Sequence, residues 1–99
     1  MRPIHTAQLD KPRPVLVLTR ELVRPYMTRV TVAPITTTAR GLSTELPVGP
    51  ANGLDAQCVV SCDNIVTVPA RALGRQLGVL LPGQEDALTA ALHAAFDLE

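Results

Sequence analysis

The apolar residues of this chain occur in short runs that prolines and glycines interrupt. Val15 to Thr19 (VLVLT) is an apolar, β-branched run after Lys11-Pro12-Arg13-Pro14, and Thr28 to Ile35 alternates polar and apolar residues. Because each Pro fixes its φ and restricts the residue before it, we expect Lys11 to Pro14 to form a tight, stiff connection. Runs of this length and period predict strands, here 3–9, 15–19, 28–35, 43–48, 57–62, 65–68 and 76–81.

The pattern changes period after Pro82-Gly83. From there to the end of the chain, the apolar residues follow the i, i+3, i+4 spacing of a helix, which predicts an amphipathic helix over Gln84–Phe96. Residues 69–74 predict a single helical turn before the last strand. Several short strands followed by one helix predict a mainly β fold with a C-terminal helix, built as a small antiparallel barrel or a strongly bent sheet.

The length of 99 residues suits one domain, residues 1–99. No apolar run approaches the roughly 20 residues that span a bilayer, and Met1 to Asp10 lacks the apolar core of a signal peptide. We therefore expect a cytoplasmic protein without a membrane partner. Cys58 and Cys62 would lie about 13 Å apart on one strand, too far for a disulfide or a shared metal, so we expect two small buried side chains.

The net charge is zero, but the charges are unevenly distributed along the chain. Residues 1–40 carry seven basic and two acidic groups, whereas residues 41–99 carry two basic and seven acidic groups. Eight of the nine basic residues are Arg, whose planar fork of donors matches phosphate oxygens. The chain has only two aromatic residues, so nucleic-acid binding would depend on charge and hydrogen bonds rather than on stacking. We expect a basic groove on a neutral protein.

Common catalytic patterns are absent from the sequence, which contains no HExxH, no CxxC pair, no glycine-rich phosphate loop and no nucleophile elbow. His5 and His93 fall on a predicted strand and on the terminal helix, which favours two unrelated histidines over a paired-histidine nuclease. Glu45 and Asp63 could form a carboxylate pair, but their strand positions do not force them together. The sequence predicts neither a metal site nor a cofactor.

Two polar features stand out at the ends of predicted strands. Arg13, between Pro12 and Pro14, can offer two N–H donors to a phosphate. Thr36-Thr37-Thr38 leaves a strand just before Arg40-Gly41, and hydroxyls at a loop entrance suit phosphate or sugar contacts. Taken singly, each feature is more typical of a surface arginine or of ordinary threonines in a strand than of a phosphate site.

The order and spacing of these features resemble a known family. Arg13–Thr19 (RPVLVLT), Val30–Gly41 (VTVAPITTTARG) and Val59–Pro69 (VVSCDNIVTVP) are similar to the three motif blocks of the MazF/PemK toxins, and the similarity runs from about Arg2 to Leu98. It implies an SH3-like small barrel of the MazF/CcdB type that forms a homodimer. It also implies a toxin of a type II toxin–antitoxin system: a metal-independent, sequence-specific endoribonuclease that cleaves single-stranded RNA and leaves 2′,3′-cyclic phosphate and 5′-hydroxyl ends.

The resemblance also assigns residues to roles. It implies that Arg13 and Thr36 are catalytic, and Asn64 stands where many relatives carry Gln. The chain lacks the Gly-Ser-Glu segment that many relatives have before the first block, so the cleavage sequence cannot be carried over. We expect an acidic antitoxin segment to occupy the basic groove. RNA contacts are expected from Arg20, Arg24, Thr37, Thr38, Arg40 and Asn64.

Two other functions remain open from the sequence. CcdB-type toxins share the barrel and the dimer but inhibit DNA gyrase without cutting nucleic acid, and fold alone does not separate the two. The discriminating feature is the pair Arg13 and Thr36, which a gyrase inhibitor does not need. The other alternative is a non-toxic SH3-like interaction domain, which leaves the Arg-rich half of the chain without a role.

Overall fold

Seven antiparallel strands and one C-terminal helix make up the protein, seen in a computed structural model that describes residues 1–98. The helix α1 spans Glu85–Ala95, close to its predicted bounds. Short 3-10 turns connect several elements. The strands are β1 (Pro3–Gln8), β2 (Pro12–Val17), β3 (Arg29–Thr36), β4 (Glu45–Val48), β5 (Cys58–Ser61), β6 (Val66–Pro69) and β7 (Leu73–Val79).

Three details differ from the sequence-based prediction. β2 begins at Pro12, so Arg13 lies within a strand rather than in a stiff connection before one. Strand pairing to β1 accounts for this difference, because Arg13 and Pro12 face Ala7 and Gln8 across an antiparallel ladder. The helical turn predicted at 69–74 is limited to Ala70–Ala72, and β7 begins directly after it.

The sheet has the order β4-β5-β3-β2-β1-β7, with β6 paired to the first half of β3. The predicted mainly β fold with a C-terminal helix is confirmed, and the sheet is not closed by hydrogen bonds between its end strands. Between the end strands β4 and β7 lies the 3-10 turn Pro50–Asn52. The buried Asn52 side chain there donates to the carbonyl of Val79 at 3.0 Å and to Gln84 Oε1 at 2.6 Å. A side chain thus bridges the gap that a strand pair would close.

Strand β2 is buried on both faces, which explains its continuous apolar run. Leu16 packs in one cluster with residues of α1, including Leu88, while Val15 and Val17 belong to a second cluster with Val30 and others. Along β3 the buried face changes, because Val30 and Val32 belong to the second cluster and Ala33 and Ile35 to the first. At the end of β3, Pro34 and Thr36 lie on the face opposite Ala33 and Ile35 and are only partly buried.

Both cysteines are buried and free, as predicted, although Cys62 lies in the 3-10 turn after β5 rather than on the strand. Within residues 1–98, no helix is long and apolar enough to cross a membrane.

Candidate active site

A cavity of about 570 Å³ lies where β2 and β3 extend beyond the second core cluster. Its wall is formed by the ends of both strands, the loop between β3 and β4, and the turn after β5. The lining residues are Leu9, Asp10, Arg13, Pro34, Thr36, Thr38, Arg40, Leu42, Glu45, Ser61, Asp63 and Asn64. Four of the residues predicted from sequence to bind RNA or to catalyse therefore share one cavity with Arg13, namely Thr36, Thr38, Arg40 and Asn64.

Arg13 is held by the sheet and by one acidic neighbour. Its Nη2 donates to Asp10 Oδ2 at 3.1 Å, and its side chain is 24% exposed. Its Nε is buried and has no hydrogen-bond partner within residues 1–98. A buried donor without a partner costs about 1–3 kcal/mol, so such groups are rare and often serve a function. Because Nε is shielded, contact with an anion in the cavity has to come from the exposed quarter of the side chain, which lines the cavity wall.

Thr36 is the last residue of β3 and pairs with Val59 of β5. Its Oγ1 accepts a hydrogen bond from the backbone N–H of Thr38 at 3.2 Å. Because the hydroxyl oxygen serves as acceptor in that contact, its proton remains available for another acceptor. Thr36 can therefore donate to an oxygen atom placed in the cavity.

The register of the sheet places Arg13 across from Thr36. In the β2–β3 ladder, Val15 faces Pro34 and Leu16 faces Ala33. The same register continued by two residues sets Arg13 opposite Thr36, and residues two apart on a strand share a face. Two side chains that lie far apart in sequence thus lie on the wall of one cavity.

The loop between β3 and β4 borders the cavity with every second side chain, at Thr38, Arg40 and Leu42. The carboxylate of Glu45, at the start of β4, accepts hydrogen bonds from the backbone N–H groups of Arg40 and Leu42 at 3.0–3.2 Å. Thr37 is exposed and does not line the cavity.

The turn after β5 contributes Ser61, Asp63 and Asn64. Asn64 Nδ2 donates to Ser61 Oγ at 2.8 Å, which orients the amide group. Asp63 accepts from the Thr44 hydroxyl at 2.6 Å and so attaches this turn to the end of the β3–β4 loop. Burial first, and then the negative charge of Asp63, raise the pKa of the neighbouring Cys62 thiol, which therefore stays protonated at neutral pH.

The expected basic groove is not present at this cavity. Its lining carries two arginines, Arg13 and Arg40, against the three acids Asp10, Glu45 and Asp63. Folding brings acids of the C-terminal part beside arginines of the N-terminal part, which a count along the chain cannot anticipate. Each acid has a hydrogen-bond donor on the protein, so its charge is partly neutralised where it stands.

Arg20 and Arg24 line a separate cavity of about 320 Å³, which lies beside the N-terminus and the start of α1. This second cavity also carries Arg2 and the amino group of Met1, against Glu21 and Glu85. The structure therefore does not bring Arg20 and Arg24 to Arg13 within one protomer. Their contact with RNA stays a prediction.

The histidines lie away from the cavity. His5 Nδ1 is 2.9 Å from the carbonyl oxygen of Gly74, and His93 is exposed on α1. Glu45 and Asp63 do share the cavity wall, but each is engaged by a donor of the loop they border. Among the described residues, no group of three or more His, Cys, Asp or Glu could hold a metal ion.

Sequence reasoning missed several residues of the cavity wall. No role is predicted for Asp10, although its position three residues before Arg13 allows an ion pair across the β1–β2 turn. Ser61 was read only as a strand residue. Nothing in their local sequence marks them, because the contacts that define them cross between elements.

Comparison with known proteins identifies the family. A sequence model of PemK-like, MazF-like toxins of type II toxin–antitoxin systems matches residues 2–96. The chain is 66% identical over 99 residues to Endoribonuclease MazF3 of Mycobacterium tuberculosis strain CDC 1551 / Oshkosh, covering 100% of this chain and 96% of the relative.

Solved structures agree with the sequence comparison. The Mycobacterium tuberculosis toxin MazF-mt6 matches with a TM-score of 0.97 and 65% identity over 99% of each chain. A mycobacterial endoribonuclease solved with its cognate antitoxin matches with a TM-score of 0.86 and 26% identity, over 98% of this chain and 93% of that one. The resemblance seen in the sequence is confirmed, and so is the endoribonuclease function over the gyrase-inhibitor alternative. The chain belongs to the PemK-like, MazF-like toxin family of type II toxin–antitoxin systems.

Proposed function

We propose that this endoribonuclease toxin cleaves single-stranded RNA by attack of the RNA's own 2′-hydroxyl on the adjacent phosphate. The 2′-oxygen forms a bond to phosphorus while the bond from phosphorus to the 5′-oxygen breaks. The 2′-hydroxyl loses a proton and the departing 5′-oxygen gains one. The products are a 2′,3′-cyclic phosphate and a 5′-hydroxyl, without a covalent enzyme intermediate. The observation that supports this most is the position of Arg13 and Thr36 on the wall of one cavity.

Arg13 stabilises the charge that develops on the phosphate. Asp10 holds one nitrogen of the guanidinium and so restricts its orientation, while the exposed part of the side chain faces the cavity. Preorganised donors aimed at developing charge are a large source of catalysis, since they need no rearrangement during the reaction. A guanidinium hardly deprotonates, so Arg13 serves as a charge stabiliser, not as a base.

Thr36 adds a second donor on the same face. Its hydroxyl proton is directed away from the Thr38 N–H that the oxygen accepts, and can donate to a phosphate oxygen. Together the two residues supply charge stabilisation and in-line placement, so we propose that the reaction needs neither a metal nor another cofactor.

RNA binding uses the rest of the cavity wall. Thr38 and Arg40 contact the sugar–phosphate backbone from the β3–β4 loop, and the oriented amide of Asn64 contacts a base. Thr37 extends the contact just outside the cavity. Arg20 and Arg24 reach the RNA from the second cavity described above when two protomers form a homodimer.

Membership of the family supports a proposal for the physiological setting. The toxin acts in the cytoplasm as a single domain over residues 1–99 and is blocked by a cognate antitoxin, as the antitoxin-bound mycobacterial relative suggests. An acidic antitoxin segment finds more positive charge at Arg20 and Arg24 than at Arg13, because basic groups outnumber acids in the second cavity, whereas acids outnumber arginines in the first. An antitoxin complex without contacts near Arg13, Arg20 or Arg40 would count against this part of the proposal.

The experiment that tests the reaction is the mapping of 5′-hydroxyl ends after digestion of a long RNA in the presence of EDTA. Discrete cuts with 5′-hydroxyl and 2′,3′-cyclic phosphate ends are expected. The matched control is the same RNA with a 2′-deoxy nucleotide at the mapped cut, which should resist. Cleavage of that control at the normal rate would refute attack by the 2′-hydroxyl.

A further inference from the structure

Glu45 is an unexpected residue in a cavity that accepts a polyanion. It begins β4, faces Ser61 of β5 in the ladder, is half-buried and lines the cavity wall. A carboxylate there repels the phosphates of an RNA strand. Its presence therefore calls for a role that offsets that repulsion.

The hydrogen bonds of Glu45 indicate that role. Its Oε1 accepts from the backbone N–H of Leu42 at 3.0 Å and from that of Arg40 at 3.1 Å, and its Oε2 lies 3.2 Å from the same Arg40 nitrogen. Both oxygens thus face backbone donors of the β3–β4 loop. Hydrogen bonds to an ionised acceptor are about twice as strong as those between neutral groups.

The loop has little else to fix it. Residues 37–44 form no strand or helix, and most of them are exposed. Thr38 N–H is bonded to Thr36 Oγ1, Glu45 N–H donates to the carbonyl of Leu42, and Thr44 is attached to Asp63 at the far end of the loop. In the middle, where Arg40 lies, the Glu45 carboxylate is the acceptor that holds the backbone.

We propose that Glu45 is a positioning residue for RNA cleavage, whose carboxylate holds the β3–β4 loop so that Thr38 and Arg40 face the RNA. The proposal rests on the function proposed above and extends it. Glu45 touches neither the RNA nor the reacting atoms; it acts through Arg40 and Leu42. Thr36 is anchored by the β3–β5 ladder, so Glu45 affects binding more than the chemical step.

For Glu45→Gln, a loop-holding role and simple charge repulsion predict opposite changes in KM. If Glu45 only contributed negative charge, Glu45→Gln would remove repulsion and tighten RNA binding, so KM would fall. If Glu45 holds the loop, Gln keeps one acceptor oxygen but loses the charge that strengthens both hydrogen bonds, and its NH₂ group faces the Arg40 N–H in place of Oε2. KM then rises, since the loop residues leave their places.

The experiment compares Glu45→Gln, Glu45→Asp and Asp55→Asn in the full chain. Asp55 is exposed and lies outside both cavities, so Asp55→Asn is the control for loss of one negative charge. The substrate is a short RNA spanning a cut that the wild type makes. For Glu45→Gln we expect kcat/KM to fall about 10- to 100-fold, mostly through KM. Glu45→Asp, which keeps the charge on a shorter side chain, should lie between it and the wild type.

Amide hydrogen exchange supplies a readout independent of activity. In the wild type the amides of Arg40 and Leu42 should be protected, and Glu45→Gln should remove that protection while amides of β2 keep theirs. A KM for Glu45→Gln at or below that of the wild type, or unchanged protection of both amides, would overturn the proposal. Failure of the wild type to cut RNA would refute the proposed function instead, and the exchange data would still decide whether Glu45 holds the loop.

Discussion

The two sides of the cavity are held in place by different means. Arg13 and Thr36 stand on β2 and β3, where backbone ladders and a core on both faces of β2 fix them. Thr38 and Arg40 stand on a loop held chiefly by hydrogen bonds to one carboxylate. Residues on strands keep their geometry better than residues on loops. We propose from this difference that the strand side performs the chemistry and the loop side binds the RNA.

The largest effect should follow from removing the guanidinium of the strand side. Arg13→Ala should lower kcat about 100- to 1,000-fold, as typically follows loss of one preorganised donor. Arg13→Lys keeps the charge but loses the fork, so most of the loss should remain. Single-turnover cleavage of a defined RNA measures both. Cleavage by Arg13→Ala at the wild-type rate would exclude Arg13 from the mechanism.

The second effect concerns the hydroxyl of Thr36. Thr36→Val keeps the shape but removes the donor, and should lower kcat about 10- to 100-fold, the cost of a lost hydrogen bond to a charged group. Thr36→Ser keeps the hydroxyl and should retain most of the activity. The same rate assay separates the two variants. Equal rates for Thr36→Val and the wild type would mean that the hydroxyl is not used.

A smaller effect should follow on the loop side. Arg40→Ala should weaken RNA binding without much change in kcat and should reduce the salt dependence of log Kd by roughly one phosphate contact. Fluorescence anisotropy over a range of salt concentrations measures this slope. The same measurement on Arg20→Ala and Arg24→Ala tests whether the second cavity contacts RNA, since unchanged slopes would remove both residues from the binding surface.

The smallest effect concerns pH and the turn that carries Asn64. The pKa of Cys62 is raised above the ordinary value of 9.0, so the folded state holds its proton more tightly than the unfolded chain. Stability from this group is complete below about pH 9 and is lost as pH rises toward the folded pKa. The free energy of unfolding, measured by denaturant titration, should therefore fall in that range. For Cys62→Ala the free energy of unfolding should fall less steeply as pH rises. Cys58→Ala retains Cys62, so its free energy of unfolding should fall as steeply as that of the wild type.

The sequence predicts the elements of this fold well because their signals are local. The period-two run at Thr28–Ile35 and the helical spacing after Pro82 depend only on neighbours, and both elements form close to their expected bounds. The start of β2 was missed because prolines flank Arg13, and pairing with β1 overrides that local restriction. The sequence left a small barrel and a strongly bent sheet as alternatives, because the contact between β4 and β7 depends on Asn52, whose partners lie in β7 and before α1.

The site was predictable where the motif blocks carry it and not elsewhere. Arg13 and Thr36 fall in the blocks that resemble the family, and they share one cavity. The charge of the cavity was not predictable, because Asp10, Glu45 and Asp63 enter it from three different segments. The role of Glu45 depends on hydrogen bonds to the backbone of another segment, which residue types do not reveal.

One measurement tests most directly whether the strands carry the chemical step and the loop carries RNA binding. Single-turnover cleavage of a defined RNA is followed for Arg13→Ala and Arg40→Ala while protein concentration is raised until the RNA is saturated. We expect saturation to bring Arg40→Ala to within a few-fold of the wild-type rate, and to leave Arg13→Ala about 100-fold slower or more. If saturation rescued Arg13→Ala but not Arg40→Ala, the account would be contradicted, because the loop would then carry the chemistry.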